Sequence, residues 1–89
     1  MNNTVFRTIN VPDAWQALSA TRLVCSGTLS APTTNAGNVL VRSKAEAAQQ
    51  VILEPGEWHD FQSVNLAGIE VCNESAGDTN AITFVGGTW

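Results

Sequence analysis

The stretch Leu53–Phe61, which reads LEPGEWHDF, holds the densest group of titratable side chains in the chain. General acid–base catalysis would need its histidine next to a carboxylate or a nucleophile within a pocket. In an extended strand, however, His59 and Asp60 point to opposite faces and cannot act on one group. Pro55 and Gly56 fit the two central positions of a type II turn, where proline sets a negative φ and glycine supplies a positive one. The sequence therefore predicts a turn between two strands here, not a catalytic site.

Other reactive motifs are missing from the sequence. A metal site needs His, Cys, Asp or Glu at short spacing, whereas the chain has one histidine and two remote cysteines, Cys25 and Cys72. It has neither the GxSxG of an activated serine nor the GxxxxGK of a phosphate-binding loop. We expect no catalytic residue, no metal and no cofactor. If the chain does bind a metal, the sequence favours calcium held by loop carboxylates and carbonyls.

The first residues, MNNTVFRT, lack the basic and apolar regions of a signal peptide. We therefore expect synthesis in a cytoplasm. In a reducing compartment, two free thiols are the default for Cys25 and Cys72. Their distance in sequence leaves open whether they face each other.

Composition predicts one small domain with a polar but nearly neutral surface. The chain has 89 residues, a net charge of −4 and 13% charged residues, about half of the usual ~25%. Its four cations are scattered, which argues against direct binding of nucleic acid, because phosphate contacts need clustered cations. No apolar run approaches the ~20 residues of a membrane helix. These features favour β-structure and a surface that contacts partners.

Apolar residues alternate with a period of two, which is typical of strands. Val5, Ile9 and Val11 share one face of the first such segment, and Gly27 permits a bulge or bend in the next. Turn residues separate the segments at fairly even intervals. We predict an all-β fold, a single small antiparallel β-sandwich or Greek-key barrel of six to eight short strands. The predicted strands lie in Thr4–Val11, Arg22–Leu29, Asn38–Ser43, Val51–Leu53, a segment starting at Trp58, Ile69–Asn73 and Thr79–Val85.

Two short helical turns are predicted as additions to loops. Ser43 and Glu46 have capping-box spacing at the start of SKAEAAQQ, and Asp13–Leu18 follows a proline. Both are shorter than the ~12–15 residues that make an isolated helix stable.

The chain carries three tryptophans, Trp15, Trp58 and Trp89. We expect one or two of them in the core and at least one as an interface anchor, because tryptophan is enriched at binding hot spots. Trp89, after two glycines at the end of the sequence, is predicted to dock on its own domain or on a neighbouring subunit.

Four short motifs of turn and strand residues follow one another along the chain. They are N-x-G-x-V-x-V, L-x-P-G-E, L-x-x-I-x-V and A-G-D, at Asn35–Val41, Leu53–Glu57, Leu66–Val71 and Ala76–Asp78. Their order resembles that of small all-β virion proteins of tailed phages and related prophage proteins, over roughly Cys25 to Val85. The resemblance implies a non-enzymatic structural component of the particle. Head decoration (cement) proteins, which bind the major capsid protein at the surface of the virion, are the subgroup that suits a domain of this size.

Residues 1–20 precede the matching part of the chain and are predicted to form an arm or first strand, which engages the capsid or a sister subunit, ahead of a sandwich over residues 21–89. A homo-oligomer, either a dimer or a trimer, is expected. The alternatives are a glycan-binding virion module that uses exposed tryptophan, a head–tail or tail structural protein and, more remotely, a small hydrolase. The candidate interface residues are Val5, Phe6, Trp15, Trp58 and Trp89.

Overall fold

The computed structural model describes residues 3–88, which form a β-sandwich of two four-stranded antiparallel sheets. The prediction of an all-β sandwich with six to eight strands is confirmed, with eight strands in this part of the chain. The first sheet has the order β1 (Asn3–Asn10), β8 (Ala81–Thr88), β3 (Val24–Ser30), β6 (Trp58–Asn65). The second has the order β2 (Gln16–Ala17), β7 (Ile69–Asn73), β4 (Val39–Ser43), β5 (Gln50–Leu53). Between residues 3 and 88 there is no helix that is long and apolar enough to cross a membrane.

The core lies between the sheets and follows the predicted alternation. In β1 and the residue after it, Val5 and Val11 are buried and Ile9 packs against the core. Burying each such side chain contributes about 1.5–3 kcal/mol. The largest fully buried side chains are Phe84, Leu29, Leu66, Ile82, Val39 and Val71.

Two glycines let β3 and β8 approach around the ring of Phe84. Gly27 and Gly86 lie directly opposite each other. A Cβ atom on Gly27 would sit 2.6 Å from the Cα of Gly86, and one on Gly86 would sit 2.9 Å from a ring carbon of Phe84. Real Cβ atoms essentially never come this close to other heavy atoms. The buried ring therefore takes the space that two side chains would otherwise need.

A β-bulge bends the first sheet near the predicted position. Between the pairs Gly27–Phe61 and Cys25–Val64, β6 supplies one residue more than β3. Ser63, within this bulge, has a φ of 49°, and its N–H donates to the Oγ of Ser26 at 2.8 Å. The extra residue lies on β6, opposite the glycine that permits the bend.

The short helical predictions are only partly correct. Lys44–Glu46 forms a single 3-10 turn, but Ser43 makes no side-chain capping bond. Asp13–Leu18 is not helical, because its backbone pairs with β7: the N–H of Leu18 donates to the carbonyl of Ile69 at 2.9 Å.

The first strand is integral to the sandwich. All eight residues of β1 pair with β8, and the chain then crosses to the edge of the second sheet at β2. Residues 1–20 were predicted to form an arm or a first strand, and within them residues 3–10 form a strand of the sandwich.

Candidate functional site

Leu53–Phe61 is the predicted turn followed by the start of β6. The N–H of Glu57 donates to the carbonyl of Glu54 at 2.9 Å, and Gly56 has a φ of 91°. The turn also packs on the end of β3, because the N–H of Gly56 donates to the carbonyl of Ala31 at 2.8 Å. The structure confirms the prediction that Pro55 and Gly56 bend the backbone.

His59 and Asp60 lie on opposite faces of β6, as predicted. The rings of His59 and Phe61 pack in a T-shaped arrangement, with centroids 5.2 Å apart, on the side that faces the second sheet. Asp60 accepts a hydrogen bond from the hydroxyl of Thr28 on the outer side. The imidazole and the neighbouring carboxylate therefore do not form a pair. Within residues 3–88, no three His, Cys, Asp or Glu side chains gather in a way that could hold a metal ion.

The outer face of the first sheet carries two rows of side chains that cross all four strands. The strand registers place one row at Phe6, Val85, Thr28 and Asp60. They place the next row at Thr8, Thr83, Ser30 and Trp58. At ~4.8 Å per strand spacing, each row is about 14 Å wide. We call this surface, with these eight residues, the aromatic face.

Large apolar side chains are exposed on the aromatic face. Phe6 is 66% exposed, Trp58 62% and Val85 46%. Phe6 and Val85 are direct cross-strand neighbours. Of the eight residues, Asp60 is the one that carries a charge, and the rest of the face is threonine and serine. Exposed aromatic side chains with few charges around them are typical of the core of a protein interface.

The candidate interface residues lie in different places. Phe6 and Trp58 belong to the aromatic face, whereas Val5 points into the core and is 7% exposed. Trp15 is half-buried on the outer side of the second sheet. Trp89 lies outside the described residues. Sequence analysis missed Val85, although its alternation with the core residues Ile82 and Phe84 marks it as outward-facing.

Trp15 has a structural partner. The guanidinium carbon of Arg42 lies 4.0 Å from the centroid of the Trp15 ring, and its Nε donates to Glu70 at 2.9 Å. Arg42 on β4 thus makes a cation–π contact with Trp15 and an ion pair with Glu70 on β7. Trp15 and Trp58 therefore lie on different sheets and do not form a common platform.

Buried asparagines join the loops at one end of the sandwich. The Nδ2 of Asn80 donates to the Oδ1 of Asn73 at 2.9 Å, and the N–H of Gly37 donates to the Oδ1 of Asn80 at 3.0 Å. Asn35 clamps the backbone of Ala81 through two bonds of 2.8 Å. The residues Asn35 and Gly37 of the N-x-G motif thus hold loops together.

Asp13 completes this network from the surface. Its carboxylate accepts hydrogen bonds from the Nδ2 of Asn73 at 2.9 Å and from the N–H of Gly77 at 3.0 Å. These bonds, that from Asn73 foremost, favour the ionised form and lower the pKa of Asp13 below its ordinary value.

The two cysteines are free and buried, and they lie on different sheets. Cys25 belongs to the core, whereas Cys72 contacts the carbonyl of Asp13 at 3.4 Å through its Sγ. Burial raises the pKa of both thiols, so both are protonated at neutral pH.

The sandwich is open on the side of β5 and β6. A cleft of about 200 Å³ runs between the sheets there. Its apolar lining residues are Val41, Val51, Phe61 and Ile69, and His59 lies at the same opening.

No protein-family model matches this chain, and neither a curated protein nor a solved structure does.

Proposed function

We propose that this chain is a non-enzymatic structural protein of a tailed-phage particle, which decorates the head and stabilises its shell. The aromatic face would bind the major capsid protein, at the surface of the virion. The observation that carries the proposal is the exposure of Phe6, Val85 and Trp58 together on one face that holds a single charged residue, Asp60. The phage assignment itself rests on the resemblance of the four turn and strand motifs.

The aromatic face is suited to binding by shape and chemistry. Phe6 and Val85 form a continuous apolar patch across two paired strands, and Trp58 lies on the same face in the adjacent row. Aromatic side chains dominate binding free energies when a partner excludes water from them. The hydroxyls of Thr28 and Ser30 can hydrogen-bond without the desolvation cost of a charge.

Rigidity supports the same role. Phe6, Val85 and Trp58 project from paired strands, so little ordering entropy is lost on binding. A decoration protein also gains affinity from repeated copies on a shell, because linked contacts act at high effective concentration.

Sedimentation with bare capsids, prepared from the phage or prophage that encodes the chain, tests this proposal. We expect the protein to pellet with the shells, and Val85→Lys to stay in the supernatant, because the lysine places a charge in the centre of the apolar patch. Gln16→Lys adds the same charge at an exposed position of the second sheet and should pellet normally. The proposal fails if the unmodified protein does not pellet, or if Val85→Lys pellets equally well.

A glycan-binding module is the second candidate. Trp58 favours it, because its exposed side chain lies beside Ser30 and two residues from Asp60 on the same face of β6, a combination that suits a sugar ring with its hydroxyls. Against it, Trp15 lies under Arg42 on the other sheet. Saturable binding of host surface polysaccharide that is lost in Trp58→Ala, without binding to capsids, would favour this candidate over decoration.

A further inference from the structure

The four edge strands differ in how they are protected against pairing with another chain. Natural sheets protect their edges with inward-pointing charges, bulges or very short strands. β1 has Arg7 at an inward-facing position, β6 has the bulge at Ser63, and β2 has two residues. Three of the four edges therefore carry one of these devices.

β5 carries none of them. Its sequence, QVIL, contains no charge and no proline, and its register with β4 is continuous. Val51 is 60% exposed and Ile52 is 49% exposed. Among the described strands, β4 is the one neighbour of β5 in the sheet. The other edge of β5 therefore presents unpaired backbone N–H and C=O groups.

We propose that β5 pairs antiparallel with β5 of a second copy of this chain, around a two-fold axis at Ile52. Ile52 then faces its own counterpart, and Val51 of each copy faces Leu53 of the other. Gln50 faces Glu54. Apolar and β-branched cross-strand pairs of this kind stabilise antiparallel sheets. The two second sheets become one sheet of eight strands. This inference does not depend on the proposed function.

The charges at the two ends of β5 favour a second copy in this orientation. The connection before β5 carries Lys44 and Glu46, whose charges cancel, whereas the turn after it carries Glu54 and Glu57. Antiparallel pairing brings each acidic turn towards the uncharged end of the other β5 and keeps the two acidic turns apart. A parallel arrangement would instead bring the two acidic turns together.

The open cleft lies on the same side of the sandwich. Val51 lines it from β5, and His59 and Phe61 line it from β6. A second copy that extends the second sheet past β5 also covers this opening. A slip of the pairing by one residue does not fit this geometry, because it would place Val51 of the second copy on the opposite face of the joined sheet from Val51 of the first.

Light scattering after size-exclusion chromatography tests the pairing. We expect the unmodified protein to elute as a dimer. Ile52→Lys and Ile52→Glu should each elute as a monomer, because two like charges would face each other on the axis. An equimolar mixture of the two variants should form a dimer again, since lysine then faces glutamate. Val85→Lys, at a site of similar exposure on the other sheet, should remain a dimer.

The proposal is wrong if the unmodified protein is a monomer at its highest soluble concentration, or if both Ile52 variants remain dimers. It is also wrong if the mixture of variants does not associate. A second variant makes the test independent of the charges: Ile52→Cys should form a disulfide-linked dimer on mild oxidation, because the buried Cys25 and Cys72 do not compete. Thr8→Cys, on the β1 edge, should not form such a dimer. If Thr8→Cys cross-links and Ile52→Cys does not, the interface lies at β1 and the proposal is wrong.

Discussion

Single side chains decide how the loops at one end of the sandwich are held. Asn73 and Asn80 are buried, and each bonds backbone or side-chain groups of other loops. Removing one member would leave a buried donor or acceptor unpaired, which typically costs about 1–3 kcal/mol. The N-x-G motif therefore has a role in the fold that is separate from any contact with a partner.

Asp13 makes the stability of this network depend on pH. Its folded pKa is lowered from an ordinary value of 3.8, so its contribution to stability is full above that value and is lost as the pH falls through the folded pKa. We predict that the difference in unfolding free energy between the protein and Asp13→Asn shrinks on acidification from about pH 5 to below about pH 3. Urea denaturation at each pH measures it. The asparagine oxygen can still accept hydrogen bonds, so the variant isolates the charge. A difference that stays constant with pH would contradict the role of Asp13.

The role of Leu53–Phe61 is predictable from single residues, because proline fixes its own φ and glycine readily adopts the positive φ that the turn needs. The buried asparagine network is not predictable in this way. Nothing in the sequence around Asn73 or Asn80 distinguishes a buried asparagine from an exposed one, since their partners lie in distant loops. Val5 is different: it was a candidate for the interface, but its alternation with Ile9 and Val11 already indicates the core-facing side of β1, and the structure places it there.

At the scale of elements, the close approach of β3 and β8 depends on two glycines. We predict that Gly27→Ala lowers the unfolding free energy by about 1–3 kcal/mol, because its Cβ would overlap the facing backbone. Chemical denaturation monitored by circular dichroism measures the loss. Gly68→Ala is the matched control, since a Cβ atom there meets no other atom within 4 Å. Equal stability of both variants would show that the strands can separate to accept the methyl group.

The predicted positions of β1, β4 and β7 agree with the structure to within one residue at each end. β3 begins two residues later than predicted, and β8 runs on to Thr88 through two glycines that interrupt the apolar alternation. β2 was missed because its two residues form a strand only through pairing with β7. The order of strands within the sheets was beyond the sequence pattern, since alternation shows which face of a strand is apolar but not which strand lies beside it.

At the scale of the whole molecule, the two surfaces for which we propose contacts are separate. The aromatic face lies on the outer side of the first sheet, and the unprotected edge lies at β5 of the second. A dimer formed through β5 leaves both aromatic faces available. One particle-bound dimer could then engage the shell at two points, which raises its apparent affinity.

The melting temperature of bare capsids, measured with and without the bound protein, tests the proposed stabilising role most directly. The account predicts that the purified protein raises this temperature, and that Val85→Lys at the same concentration leaves it unchanged. Capsids that carry the bound protein but melt at the same temperature as bare capsids would contradict it.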